Sequence, residues 1–386
     1  MSSSRFSRIK INGFRRLKDA ELPLGPLNVL VGPNGAGKST FLDSIRLLAA
    51  SANGNLFDYL SARRGINEQI TSDAEVREIR FEVSLDRGSN PVPMYYSLTL
   101  EPSGIAYRVS DERLAEYRTD GTRPFLHITS QNGQIKYFNP ETKHLEPPSW
   151  EHNHSETSLY QVLKTFPDAE AFKKKLASVD LFHHLDTAPQ APVRLPQAMQ
   201  PAPLPGINGE YLVSCLYALR EQHADRFETL EDTLKTGFPG FKKLGFPPVA
   251  AGTIAMTWHE KHLRDPIYTH QLSEGTLRFI WLAAILQSRQ LPAITLIDEP
   301  EISLHPQLLG LLVDLMRDAS SRTQLIVATH SERLIRFLQP PEVVVCGIGA
   351  DGFTKLKSAA SLDLEGWMQD FALDELWRMG KFEDQE

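Results

Sequence analysis

Apolar and polar positions alternate with a period of two at the start of the chain, in Ile9-Lys10-Ile11 and Ala20-Glu21-Leu22-Pro23-Leu24 around Gly13-Phe14-Arg15-Arg16. That period predicts two strands of an antiparallel layer. The continuous run Leu27-Asn28-Val29-Leu30-Val31 predicts a buried strand, and Ser39 to Leu48 then carries apolar residues at helical spacing. From Glu78 to Phe138 short alternating runs return, among them Ile79-Arg80-Phe81-Glu82-Val83 and Tyr95-Tyr96-Ser97-Leu98-Thr99-Leu100. Asp120-Gly121 and Asn132-Gly133 supply the positive-φ residues that two-residue hairpin turns demand, so this stretch reads as an antiparallel meander.

Helical patterning follows, weakly from Ser158 to His184 and clearly from Gly209 to Lys235, where Tyr211, Leu212, Cys215, Leu216 and Leu219 share a face. Between them Ala188 to Gly206 holds six prolines and almost no periodicity, which reads as an extended loop or connector. From about Tyr268 the element types alternate. Leu277 to Gln287 is helical, Ala293 to Ile297 a buried strand, Pro306 to Arg317 a helix, and Gln324 to Ala328 a second buried strand. Val343 to Cys346 and Phe353 to Lys357 close a hairpin across Asp351-Gly352. The expectation is an α/β fold in which residues 1–50 and 266–360 are two halves of one core, 51–265 is an inserted β-meander and helical lobe, and 361–386 is a C-terminal helical tail. In that tail Leu364, Trp367, Met368, Phe371, Leu376 and Trp377 form an apolar set suited to packing on the core or to docking a partner helix. No heptad pattern is sustained, so no long coiled-coil arm is expected.

The length of 386 residues exceeds the roughly 100–200 residues of one domain, and two lobes are expected. Lys and Arg number 41 against 48 Asp and Glu, a net charge of −7, so there is no bulk electrostatic footprint for nucleic acid. A local groove, or one completed by dimerisation, stays open. Cys215 and Cys346 are the only cysteines, which excludes a disulfide framework or a thiolate zinc site and fits a reducing cytosol. No apolar run is long enough for a bilayer, and Met1 to Phe6 lacks the apolar core of a signal peptide. A soluble cytoplasmic protein without membrane contact is expected.

Candidate chemistry begins directly behind the run at Leu27. Gly32-Pro33-Asn34-Gly35-Ala36-Gly37-Lys38-Ser39 fits G-x-x-x-x-G-K-[ST], a loop whose backbone N–H groups cradle phosphates. Lys38 would reach the β and γ oxygens of a nucleoside triphosphate, Ser39 would offer a hydroxyl to Mg²⁺, and the helix opened by Ser39-Thr40 would turn its positive end to the phosphates. The buried strand at Ala293 ends in Asp298-Glu299. There Asp298 would hold the Mg²⁺ shell and Glu299 would orient and deprotonate the attacking water, although such a pair standing alone is usually a solvated turn. Thr329-His330-Ser331 ends the next buried strand, where the imidazole could hydrogen-bond a γ phosphate. Leu272-Ser273-Glu274-Gly275-Thr276 precedes a helix. By itself it is a capping sequence, yet it can also serve as an anion site supplied by one subunit to the phosphates held by another.

In this order the motifs resemble those of ABC-type ATPases of the SMC/RecF-like class, particularly small predicted AAA-family ATPases related to the ATPase half of OLD-family nucleases. Gly32 to Thr40 is similar to their Walker A, Leu272 to Thr276 to their signature loop, and Thr295 to Glu299 to their Walker B. Asp298 to Pro306 resembles their D-E-P-E-x-x-L-H-P form, His330 falls at their switch histidine, and Ile9 to Arg15 looks like their first strand. The resemblance covers roughly residues 5 to 50 and 266 to 347. It implies an ABC-type P-loop NTPase core, with a mixed sheet, helices on both sides and an antiparallel β layer, carrying an inserted α+β lobe.

The implied function is an ATP-hydrolysing switch, using ATP and Mg²⁺. It dimerises head to tail or forms a higher homo-oligomer around ATP and controls a separate protein effector or nucleic acid, with phage defence as a setting. The alternatives are a non-turnover ATP-bound scaffold and a RecF-like DNA-repair mediator. Two positions depart from other ABC proteins. Glu274 stands where many transporters and SMC proteins have glycine, and His305 where transporters have the D-loop aspartate. Gln131 and Gln134 serve equally as the family's Q-loop glutamine or as turn residues. Roughly forty residues follow Val345, too few for a nuclease domain, so no nuclease activity is expected within the chain. His152, His154, His183 and His184 read as solvated histidines, and Lys173-Lys174-Lys175 as the wet side of a helix.

Overall fold

The computed structural model, which describes residues 4–88, 90–117, 123–362, 375 and 377, divides into two compact units. The first unit takes in residues 4–180 and 340–362, and the second residues 181–339 with 375 and 377. Asp120-Gly121 and most of the C-terminal apolar set lie outside the described residues; of that set only Trp377 is described.

In the first unit the early strands and the meander are one antiparallel sheet. Its order is Leu17–Pro23, Arg5–Phe14, Ile79–Arg87, Asn90–Ser103, Ala106–Glu116, Phe125–Gln131, Gln134–Asn139 and His144–Glu146. Register lines up Ile9, Val83, Tyr96, Leu114, Ile128 and Tyr137 in a row across six strands, and all six are buried. A one-residue slip of any strand would turn its apolar side chain to the opposite face, so burial of this row fixes the register. Asn132 and Gly133, with φ of 48° and 82°, make the tight turn that brings Gln131 opposite Gln134. Both glutamines are exposed at that hairpin.

Helices Lys38–Asn53 and Pro167–Ala177 pack on one another in this unit, and Phe172 from the second meets the rings of Phe6 and Tyr96 at 6.0 and 5.5 Å. The helical pattern from Ser158 to His184 is therefore realised only over Pro167–Ala177, and Val179–Phe182 is a strand. Strand Leu27–Val31 pairs in parallel with Val343–Ile348, which pairs antiparallel with Thr354–Ser358.

Glu112 is wholly buried in the sheet, one pleat from the apolar row. It accepts hydrogen bonds from Tyr96 Oη at 2.9 Å and from the amides of Ser158 and Leu159 at 2.5 and 2.8 Å. Burial still pushes its pKa above the usual carboxylate range.

The second unit is built around helix Glu274–Gln287, whose residues from Leu277 to Gln287 are all buried. Helices Leu212–Gln222, Ala224–Gly237 and Leu308–Ser320 surround it, beside the parallel pair Ile294–Asp298 and Gln324–Thr329. The expected single helical stretch from Gly209 to Lys235 is broken at His223, and Tyr211 is exposed at its start rather than on the buried face. The proline-rich stretch is not a bare connector. Arg194 donates to the carbonyls of His270 and Leu272 at 3.1 and 2.9 Å, and Gly206 O accepts from Trp281 Nε1 at 2.9 Å. Among the described residues no helix is long and apolar enough to cross a membrane.

Candidate nucleotide site

The phosphate loop leaves a strand that is buried at every position. Gly32 is pressed against the neighbouring strand: a Cβ there would lie 2.2 Å from the carbonyl oxygen of Cys346. Gly37 has φ of 98°, and a Cβ there would lie 2.2 Å from Thr354 Oγ1. Both conditions require glycine, the first by space and the second by space and backbone together. Gly37 is also the N-cap of helix Lys38–Asn53, and the first turn of that helix holds no acidic residue to compete with an anion.

Lys38 is buried with its Nζ donating to the carbonyls of Gly32 at 2.7 Å and Pro33 at 3.0 Å, so the ammonium ties the two ends of the loop. Asn34, Gly35 and Ser39 are exposed, Thr40 is half-buried, and Ala36 is buried. Behind the loop, Arg15 reaches Asp43 of the helix at 2.9 Å and Gln69 at 2.9 Å, anchoring the first hairpin to the loop's own helix.

In the second unit, strand Ile294–Asp298 delivers Asp298 nearly buried at its end. Glu299 then turns into the left-handed region at φ 51°, a conformation that costs a non-glycine residue about 1–3 kcal/mol. Its amide donates to Ala328 O at 2.8 Å, and its carboxylate Oε1 lies 3.2 Å from His330 Nδ1. Successive carboxylates therefore leave the strand in different directions. Glu299 is paired with the histidine at the end of the adjacent parallel strand, while Asp298 Oδ2 lies 3.4 Å from His183 Nδ1.

Ser273 is the N-cap of helix Glu274–Gln287, its hydroxyl accepting from Thr276 N at 3.2 Å. Ser273 and Glu274 are exposed. The Glu274 carboxylate accepts from Ser303 Oγ, and a Cβ on Gly275 would lie 2.3 Å from Ser303 O. The loop before the helix is thus packed against the segment that follows Glu299, which explains the glycine at 275. His305 is exposed near the start of helix Leu308–Ser320.

Three residues join this site that sequence reading did not place there. His183, read as a solvated histidine, is half-exposed but stands beside Asp298. Glu301 accepts from Thr329 Oγ1 at 2.6 Å and from His330 N at 3.3 Å, bracing the main chain that carries the histidine. Arg278 donates to the carbonyls of both His183 and Glu299. His183 carries no local signal, whereas Glu301 stands within the Asp298-Glu299-Pro300-Glu301 run, and Arg278 is a charged residue among apolar positions of a helix. Elsewhere, Glu116, His127 and Asp168 converge at metal-ligand spacing, but the Arg87 guanidinium already stands 3.0 Å from Glu116 and 3.5 Å from Asp168. That cluster is an ion-pair network.

A phosphate-loop motif feeding its helix from a parallel strand, joined in one chain to a buried strand ending in two carboxylates, is the arrangement of the ABC-type P-loop fold, and this chain has that fold. Its described α/β units and the Smc heads share a fold. The Smc head bound to the C-winged helix domain of ScpA aligns over 92% of this chain and 97% of that one, with a TM-score of 0.56 at 14% identity. The Smc head with an extended coiled coil from Pyrococcus furiosus aligns over 95% and 98%, with a TM-score of 0.53 at 13% identity. Residues 27–336 match the family described as AAA domain, putative AbiEii toxin, Type IV TA system, and the chain belongs to that family.

Two curated relatives match over shorter stretches. An OLD nuclease of Thermus scotoductus is 34% identical over 109 residues, and a DNA replication and repair protein RecF of Magnetococcus marinus is 51% identical over 43. These stretches cover 28% and 11% of this chain and only 20% and 11% of the relatives.

Proposed function

We propose that this protein is a Mg²⁺-dependent ATPase switch that closes head to tail on a second copy around ATP and thereby controls a partner protein. The observation that carries the reading is the Glu299–His330 pair, a carboxylate and an imidazole 3.2 Å apart at the ends of two adjacent parallel strands. Glu299 takes a proton from water as its oxygen attacks the γ phosphorus, and the bond from that phosphorus to the leaving β-phosphate oxygen breaks. His330 orients on the γ phosphate, and Asn34 to Thr40 with the Lys38 ammonium hold the phosphate chain.

Ser39 and Asp298 offer a hydroxyl and a carboxylate, hard oxygen donors of the kind Mg²⁺ takes. Bound there, the ion would neutralise charge on the β and γ oxygens. The loop Ser273-Glu274-Gly275 begins a 14-residue helix and serves as the anion site offered to the γ phosphate of a second copy. The family description names a toxin of a type IV toxin–antitoxin system, and one relative is an OLD nuclease. On the resemblance of this chain's motifs to the SMC/RecF-like class, the reading extends to control of an effector in antiviral defence.

Phosphate release by the purified chain tests the core of this reading. Hydrolysis that needs Mg²⁺ and is lost in Glu299→Gln supports it; undiminished hydrolysis in that variant removes Glu299 as the base.

A second reading, direct contact with nucleic acid, is favoured by one feature of the first unit. A cavity of about 510 Å³ on the sheet is lined by Arg8, Arg80, Arg113, Tyr95 and Tyr117 together with the carboxylates of Glu82 and Asp111, with the Arg113 guanidinium 5.7 Å from the Tyr117 ring centre. Arginine and tyrosine together suit stacking on unpaired bases. Binding of single-stranded DNA or RNA that falls with added salt and is lost in Arg113→Ala supports this reading; salt-insensitive or absent binding rejects it.

A further inference from the structure

Arg278 lies within helix Glu274–Gln287 and is 2% exposed. Its Nη2 donates to two main-chain carbonyls at once, Glu299 at 2.8 Å and His183 at 2.9 Å. Burial pulls its pKa down, while the carboxylates of Glu301, Glu274 and Glu299 act in the other direction and favour the charged form. A guanidinium is costly to bury, and here its charge is spent on backbone carbonyls instead of a bonded carboxylate.

The two carbonyls carry the groups that matter. Glu299 is held in its left-handed conformation by the bond from its amide to Ala328 O, and its carbonyl accepts from Ile302 N at 3.3 Å as well as from Arg278. The Glu299 main chain, which carries the carboxylate facing His330, is thus held on both sides of its Cα, at the amide by Ala328 O and at the carbonyl by Arg278. His183, at the other carbonyl, sets its imidazole beside Asp298. A single side chain of the helix capped by Ser273 therefore fixes the main chain at both places.

We infer that Arg278 is a positioning residue for hydrolysis, transmitting the placement of the Ser273–Gly275 loop to the carboxylate of Glu299. The inference rests on the reading above in which Glu299 is the base. Docking of a second copy on the loop would be felt at Glu299 through this side chain, so hydrolysis would answer to closure of the dimer. The phosphate loop has no part in the contact, and nucleotide affinity should be indifferent to it.

The test is a double-mutant cycle between Arg278→Lys and Glu299→Gln in the full chain, read by single-turnover hydrolysis, ATP binding and thermal melting. Lysine keeps the charge but not the planar fork. The single variant Arg278→Lys should hydrolyse on the order of 10–100-fold more slowly, with ATP affinity within about threefold of the parent, because misplacing a catalytic group affects the chemical step. In the Glu299→Gln background the same substitution should cause no further fall, since the group it positions is gone.

Equal losses in both backgrounds, or loss of ATP binding in step with the melting temperature, would show a structural residue and overturn the inference. A normal rate for Arg278→Lys beside an inactive Glu299→Gln overturns it too while leaving the base assignment standing. Full activity in Glu299→Gln rejects the base itself. Should Arg278→Lys not fold by the melting criterion, Arg278→Gln, whose amide keeps two N–H donors, carries the same cycle.

Discussion

His330 Nδ1 lies 3.2 Å from Glu299 Oε1, and His330 N lies 3.3 Å from Glu301 Oε1. His330 is thus held by two glutamates that follow the same strand end, Glu299 facing its ring and Glu301 its main chain. Side chains at the ends of buried strands are positioned by a rigid scaffold, which suits a step that depends on sub-ångström placement.

Replacing Glu299 by glutamine keeps the shape and removes the carboxylate proposed as the proton acceptor. The expected result is a fall in hydrolysis of about 10²–10⁴-fold. With ATP still bound, the variant should accumulate as a dimer in size-exclusion chromatography with ATP and Mg²⁺. A monomer under those conditions would argue against closure around ATP.

Lys38→Ala removes both the proposed phosphate ligand and the tie from the end of the loop back to the carbonyls of Gly32 and Pro33. Charge-assisted contacts to phosphate contribute strongly, and ATP affinity should fall on the order of 100-fold by fluorescence titration. Because the ammonium also bridges loop carbonyls at 2.7 and 3.0 Å, the variant should melt lower than the parent even without nucleotide.

Gly37→Ala meets a different obstacle. At φ 98° the added Cβ lies 2.2 Å from Thr354 Oγ1, so strain and overlap combine. Chemical denaturation should show a loss of about 1–3 kcal/mol or more, whereas Gly35→Ala, where no atom lies within 4 Å of the added Cβ, should lose less.

Glu112 gives a pH dependence of stability that has nothing to do with nucleotide. Its folded-state pKa is raised above 4.5 by burial, so the folded state holds its proton more tightly than the unfolded state does. Its contribution is fully present below pH 4.5 and is lost as pH rises through the raised value. Urea denaturation from pH 4 upward should show this decline superposed on the other titrations. The Glu112→Gln difference curve should isolate it, because glutamine cannot ionise. A difference curve flat with pH would contradict the assignment.

Much of the candidate site was legible because it is local. The phosphate loop announces itself by glycines whose φ and close approaches admit nothing larger, and the strand behind it by an unbroken apolar run. Asp298-Glu299 and Thr329-His330 could be placed at strand ends because hydrophobicity stops where burial stops. Local pattern also located the meander strands, since a period of two is the geometry of a pleated strand. It did not show that the meander joins the strands preceding the phosphate loop, because pairing of Ile9 with Val83 is a matter of long-range register.

Sequence by itself determined the class of fold, the glycine-rich loop from Gly32 to Ser39 and the strand ends that carry Asp298-Glu299 and Thr329-His330, since each is written in short runs whose backbone conformation follows from neighbouring residues. Only the tertiary structure decided that His183 stands beside Asp298, that Glu301 braces Thr329 and His330, and that Arg278 holds the carbonyls of His183 and Glu299 together. These contacts join segments far apart in the chain, and they are selected by where a buried polar group can find a partner once the core has closed. No periodicity or spacing encodes that choice.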